Sequence, residues 1–175
     1  MVAGQSSRRL AAIGGAAMLL TLMLWVAVRP LTGERRASDQ RAPSFSLQNF
    51  SGNTVRLSDF AGNPLVINSW AAWCPFCVQE LKDFAAVQDE LQGRVVIIAI
   101  NRGEPLATAK KFADDLGVSG QLVFLQDPAD SFYKSISGFA MPETIFVDAQ
   151  GVIRDHKRGS MSAAEIRRRV SAVLQ

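Results

Sequence analysis

Apolar and polar positions divide this chain into blocks with different periods. Residues 10–28 (LAAIGGAAMLLTLMLWVAV) carry no charge over 19 positions, close to the ~20 that cross a bilayer core as a helix. Arg8 and Arg9 ahead of the run would suit a signal peptide. The run exceeds the usual h-region of about 7–15 residues, however, and Arg29-Pro30 follows it without a small-x-small cleavage site. The pattern predicts a cytoplasmic tail at 1–9 and an uncleaved transmembrane anchor at 10–28. A polar tether follows at 29–41, where apolar residues almost vanish.

From residue 42 the periods become short and alternate. Two alternating runs, 44–48 and 54–57, flank Ser51-Gly52-Asn53 and predict a β-hairpin. Residues 58–62 turn the chain into an apolar strand at 65–68. A helix is predicted over 75–91, with Cys77, Leu81, Phe84, Val87 and Leu91 on one face, ended by Gln92-Gly93. Residues 94–101 (RVVIIAIN) form a continuous β-branched run, the mark of a strand covered on both faces. A helix at 104–116, a strand at 122–125 and a short helix at 128–136 come next. A hairpin of 144–147 with 151–155 and a terminal helix at 162–174, with Ser162 as N-cap, close the chain. Such alternation predicts an α/β domain over 42–175, a mixed central sheet with helices on both faces.

Composition narrows the function. The formal charge is +3, but five of the 19 basic residues, Arg8, Arg9, Arg29, Arg35 and Arg36, flank the anchor, and beyond Ser38 acids and bases nearly balance. Nucleic acid is therefore not an expected partner. The chain has two cysteines and one histidine, too few ligands for a structural zinc site, and no metal or cofactor is expected.

Both cysteines lie in Trp70-Ala71-Ala72-Trp73-Cys74-Pro75-Phe76-Cys77, where the apolar strand hands over to a helix. The first amide N–H groups of a helix lack internal partners, and the helix dipole favours negative charge there. A thiolate at Cys74 is thereby favoured, and the thiolate is the nucleophile. Pro75 suits the first helical turn. Two intervening residues let Cys77 meet Cys74 within one turn.

This stretch resembles the thioredoxin superfamily, whose Trp-Cys-x-x-Cys sits between the strand and helix of a βαβ unit. The passage 42–74, APSFSLQNFSGNTVRLSDFAGNPLVINSWAAWC, makes the resemblance more specific. It looks like the membrane-anchored thiol:disulfide reductases of the TlpA and ResA kind, and like the peroxiredoxins related to them. The strand, helix and strand after residue 94 match the insertion of that group. The resemblance implies a thioredoxin-like fold with an N-terminal hairpin and a βαβ-type insertion, Cys74 as attacking thiol and Cys77 as resolving thiol. Pro142, in Gly138-Phe139-Ala140-Met141-Pro142-Glu143-Thr144, matches the family's cis-proline beside the cysteine pair. Trp73, Pro75, Phe76, Met141 and Pro142 become the candidate substrate contacts. Trp70 and Trp73 are expected to pack around the site and exclude water, and Phe76 to stand on its exposed rim.

Glu80 lies three residues after Cys77, about 60° round the helix, at the edge of the apolar stripe. The reductases it resembles carry a glutamate there that handles protons for the cysteine pair. Thioredoxin's own buried acid is replaced here by Asn68. His156, within Asp155-His156-Lys157-Arg158, is expected to be exposed.

The resemblance implies an oxidoreductase held on the outer side of a bacterial cytoplasmic membrane. Its implied partners are extracytoplasmic protein disulfides, a membrane electron donor of the DsbD or CcdA kind, and the bilayer itself. A thiol peroxidase is the first alternative, but peroxiredoxins place Thr where Ala71 stands. A Sco-like copper module is the second, but its Cys-x-x-x-Cys is one residue longer.

Overall fold

The computed structural model describes residues 40–174. The expected tail at 1–9, the anchor at 10–28 and nearly all of the tether lie outside the described residues. Among the described residues no helix is long and apolar enough to cross a membrane.

The domain opens with a hairpin of β1 (Ser46–Asn49) and β2 (Thr54–Arg56), followed by a 3₁₀ turn at Leu57–Phe60. Then come β3 (Leu65–Trp70), α1 (Pro75–Leu91), β4 (Val96–Arg102), α2 (Leu106–Asp115), β5 (Val123–Asp127) and α3 (Ser131–Ser135). β6 (Glu143–Val147), β7 (Ile153–Arg158) and α4 (Ala163–Val173) complete it. The seven strands form one sheet in the order β2-β1-β5-β4-β3-β6-β7. β3, β4 and β5 run parallel, joined by the helical crossovers α1 and α2, and the flanking pairs are antiparallel. Such parallel pairs need a crossover helix, which is why the middle of the sheet is covered.

The two faces of the sheet are covered unequally. Alternate residues of each strand point to opposite faces. Val66 and Trp70 of β3, Ile97 and Ala99 of β4, and Phe146 of β6 meet α1, α2 and α4 on one side. Leu65, Ile67, Ile98, Ile100, Ile145 and Val147 face the other side, where Phe132 of the five-residue α3, Leu47 of β1 and Phe45 just before β1 cover them. The helix predicted at 128–136 is shorter because Asp130 takes left-handed backbone angles, and the buried Asp127 carboxylate instead accepts the Ser131 and Phe132 amides that open α3. At the far end, Ser162 caps α4 by accepting the Glu165 amide.

Candidate active site

Cys74 is the N-cap of α1, Pro75 follows in its first turn, and the Cys77 amide donates to the Cys74 carbonyl at 3.1 Å. The two cysteines are joined as a disulfide with Cα atoms 5.4 Å apart. As the N-cap of α1, Cys74 stands at the positive end of the helix dipole, where a thiolate is favoured once the bond is reduced. In the disulfide form Cys74 is 1% exposed and Cys77 wholly buried. Attack on the bond therefore requires covering side chains to give way. Met141 packs against the cluster that contains both cysteines. The Met141–Pro142 peptide bond is cis.

The loop that carries the motif is held from beneath and from one side. Trp70 is fully buried, stacked on Phe112 of α2 and edge-on to Phe124 of β5. Beyond β4, the Glu104 carboxylate accepts the Ala72 amide at 2.8 Å and the Asn101 side chain at 2.6 Å. Trp73 is more open than expected for a residue that excludes water: it stands 62% exposed, with Phe76 at 65%, whereas Trp70 and Ala71 before it are fully buried. Exposed aromatics of this kind offer contact area to a partner at little entropic cost.

Glu80, at the edge of the apolar stripe, is buried more deeply than its helical angle alone requires. It is 1% exposed, because the segment leading to α4 closes over it. Met161 N–H donates to Oε1 at 2.9 Å, and Asn68 Nδ2 donates to Oε2 at 3.0 Å. Burial pushes its carboxyl up to about 8; the Met161 and Asn68 hydrogen bonds and the charge of Lys157 oppose that rise, and Asp83 adds to it. The group therefore changes protonation in the range where thiols do.

A further buried carboxylate, beside Pro142, was not singled out by the sequence. Glu143, wholly buried, follows Pro142 directly and accepts the Phe139 and Ala140 amides at 3.0 Å each. His156, half-buried rather than exposed, has Nε2 2.6 Å from Glu143 Oε1, and Arg158 Nε lies 3.3 Å from the same oxygen. Arg158 also sits over the Phe139 ring, which is 77% exposed. The Tyr133 hydroxyl donates to the Ala140 carbonyl at 2.8 Å. The loop before Pro142 is thus gripped at two successive residues, Phe139 and Ala140. An acid immediately after the proline, at the head of a short strand whose last three residues are apolar, was the sequence signal.

A sheet of this order, with a disulfide at the start of the helix after β3 and a cis-proline at the head of β6, defines a thioredoxin-like thiol–disulfide oxidoreductase. The AhpC/TSA family profile matches residues 39–156, and the chain belongs to that family. It is 30% identical over 134 residues to the thiol-disulfide oxidoreductase ResA of Geobacillus kaustophilus, covering 75% of each chain. To the thiol:disulfide interchange protein DsbE of Allochromatium vinosum it is 33% identical over 131 residues, covering 71% of this chain and 68% of that one. Among solved structures, a thioredoxin-family thiol:disulfide interchange protein from Chlorobium tepidum superposes with a TM-score of 0.70 at 24% identity, covering 78% of this chain and 97% of that one. This last likeness speaks for the fold.

Proposed function

We propose that the protein reduces disulfides of proteins outside the cytoplasm while tethered to the membrane through 10–28. The observation that carries the reading is the Cys74–Cys77 disulfide at the N-cap of α1 with a protonatable carboxyl, Glu80, buried one turn behind it. In the reduced protein, the Cys74 thiolate attacks a substrate disulfide, a mixed disulfide forms, and one substrate sulfur leaves as thiolate. Cys77 then gives its proton to Glu80 and attacks Cys74. The Cys74–Cys77 bond forms, the bond to substrate breaks, and the substrate departs as a dithiol. Two electrons pass from this protein to the substrate. A membrane dithiol donor returns them.

The substrates in this reading are thiols that an oxidising compartment would otherwise lose, such as those that receive haem in cytochrome c maturation. The similarity to ResA and DsbE proteins supports it. So do the exposed Trp73, Phe76 and Phe139, which suit apolar segments of an unfolded substrate.

The test is a trapping experiment. A Cys77→Ser protein should accumulate a mixed disulfide through Cys74 with an extracytoplasmic protein, and Cys74→Ser should not. Absence of any Cys74-linked species would remove the reading. For the tether, protease added to spheroplasts should digest the domain from 42 onward. Full protection, or a mature form beginning near Arg29, would contradict it.

A further inference from the structure

Beneath Glu80 the sheet carries a polar row. Asn68 of β3 pairs with Thr144 of β6, and Thr144 with Lys157 of β7, so the three stand side by side across neighbouring strands. Paired residues in antiparallel strands share a face. This is the face on which Val66, Trp70, Ala99 and Phe146 meet α1 and α4. A wholly apolar row would suit that position, since fully burying a Val or Ile side chain contributes about 1.5–3 kcal/mol. Instead, Asn68 and Thr144 are buried to 0% exposure and hydrogen-bonded to each other, Asn68 Nδ2 to Thr144 Oγ1, at 2.9 Å. The row begins at the buried carboxyl and ends at the edge strand, where Lys157 is half-buried and its ammonium donates to the Arg158 carbonyl.

Asn68 Oδ1 adds an independent sign. It is buried and has no hydrogen-bond partner. While Glu80 is ionised, Nδ2 is the atom it needs, as a donor. Once Glu80 is protonated, its O–H needs an acceptor, and rotating the Asn68 amide brings Oδ1 into that place. The charged groups facing Glu80 are Lys157 from β7 and Asp83 from its own helix. The strands β3 and β6 and the segment before α4 present Asn68, Thr144 and the Met161 amide, none of them charged. Asp83 is itself occupied by the Ala163 amide and the Gln79 side chain.

We infer that Asn68 and Lys157 are positioning residues for the proton-handling of Glu80: Lys157 supplies the positive charge that favours the carboxylate, and Asn68 turns its amide to match whichever form Glu80 is in. The inference rests on the proton role of Glu80 proposed above. In the resolving step the Cys77 proton arrives on Glu80, and the Asn68 amide changes from donor to acceptor as it does. No other group gains or loses a proton in the row.

The test follows the Glu80 carboxyl carbon by ¹³C NMR titration in the oxidised full-length protein, where the cysteines do not titrate. Lys157→Met, at a half-buried edge position, should move that titration up by about half a pH unit or more. That is about threefold less carboxylate at neutral pH. The Asn68 side-chain amide protons should change shift along the same curve. The pH profile of the resolving step should move with the carboxyl, and Lys157→Met should add nothing in a Glu80→Gln background. An unmoved Glu80 titration in Lys157→Met overturns the inference whatever the rates do, as do Asn68 signals indifferent to it. If instead Glu80→Gln keeps the parent's rate and profile, the proton role fails, while the titration still decides whether the row acts on Glu80.

Discussion

The backbone amide of Met161 donates to Glu80 Oε1 at 2.9 Å, joining residues 81 positions apart inside the core. This contact closes the segment before α4 onto the active-site helix. It also explains why a charged residue three places after Cys77 ends up buried rather than solvated. Desolvation then dominates the carboxyl's behaviour, and the hydrogen bonds recover only part of the loss.

Stability of the oxidised protein should therefore fall as pH rises. Glu80 titrates at about 8 in the fold against 4.5 ordinarily, so between those values the folded state holds a proton that the unfolded chain has released. Its contribution is fully present below about 4.5 and is lost as pH rises through about 8, by up to about 5 kcal/mol. Urea midpoints measured from pH 6 to 9 should decline, and Glu80→Gln should flatten the decline. A parent midpoint that rises with pH over this range would contradict the burial argument.

Glu80→Gln should slow the resolving step while leaving the fold in place, since it removes the proton acceptor without changing volume. General-base contributions are typically at least about 100-fold. Stopped-flow reduction of a model peptide disulfide reports the rate. An unchanged rate and pH profile would return Glu80 to a purely structural role.

Glu143→Ala should destabilise the domain by about 3 kcal/mol, because it leaves the Phe139 and Ala140 amides, His156 and Arg158 without their buried partner. Glu143→Gln should cost less and chiefly raise KM for a protein disulfide, since the loop before Pro142 loses its grip. Chemical denaturation and steady-state kinetics separate the two. Equal losses in both variants would show that the carboxylate charge does not matter.

Trp73→Ala and Phe76→Ala should change stability by less than about 0.5 kcal/mol, as both rings stand in solvent. Their effect should fall on KM for protein substrates and leave reduction by small thiols unaltered. A large loss of stability in either would mean that the ring is buried in the native protein.

Much of the fold was legible because its signals are local. The 75–91 helix shows its apolar stripe and its Gln92-Gly93 stop in sequence, and the observed helix is Pro75–Leu91. The β-branched 94–101 run marks the central strand, observed as Val96–Arg102. The cysteine pair was legible from its spacing and setting. What lay hidden depends on pairing between distant strands. Nothing near Glu143 reveals that His156 and Arg158 will lie against it, because β6 and β7 create that meeting. Likewise the burial of Glu80 is decided by Met161, far along the chain. The exposure of Trp73 was not legible for a related reason: that Trp70 is the tryptophan in the core depends on its stacking on Phe112 of the α2 crossover.

The central claim is that Cys74–Cys77 works as a reducing pair, and its reduction potential tests that most directly. Two features oppose strong stabilisation of the Cys74 thiolate: Glu80, once ionised, disfavours a second negative charge nearby, and no basic residue within the motif adds to the helix dipole. Equilibration with glutathione or dithiothreitol buffers should give a value between about −200 and −270 mV, the span from glutaredoxin to thioredoxin. A value near about −120 mV, that of the oxidant DsbA, would make the protein a donor of disulfides and contradict the account.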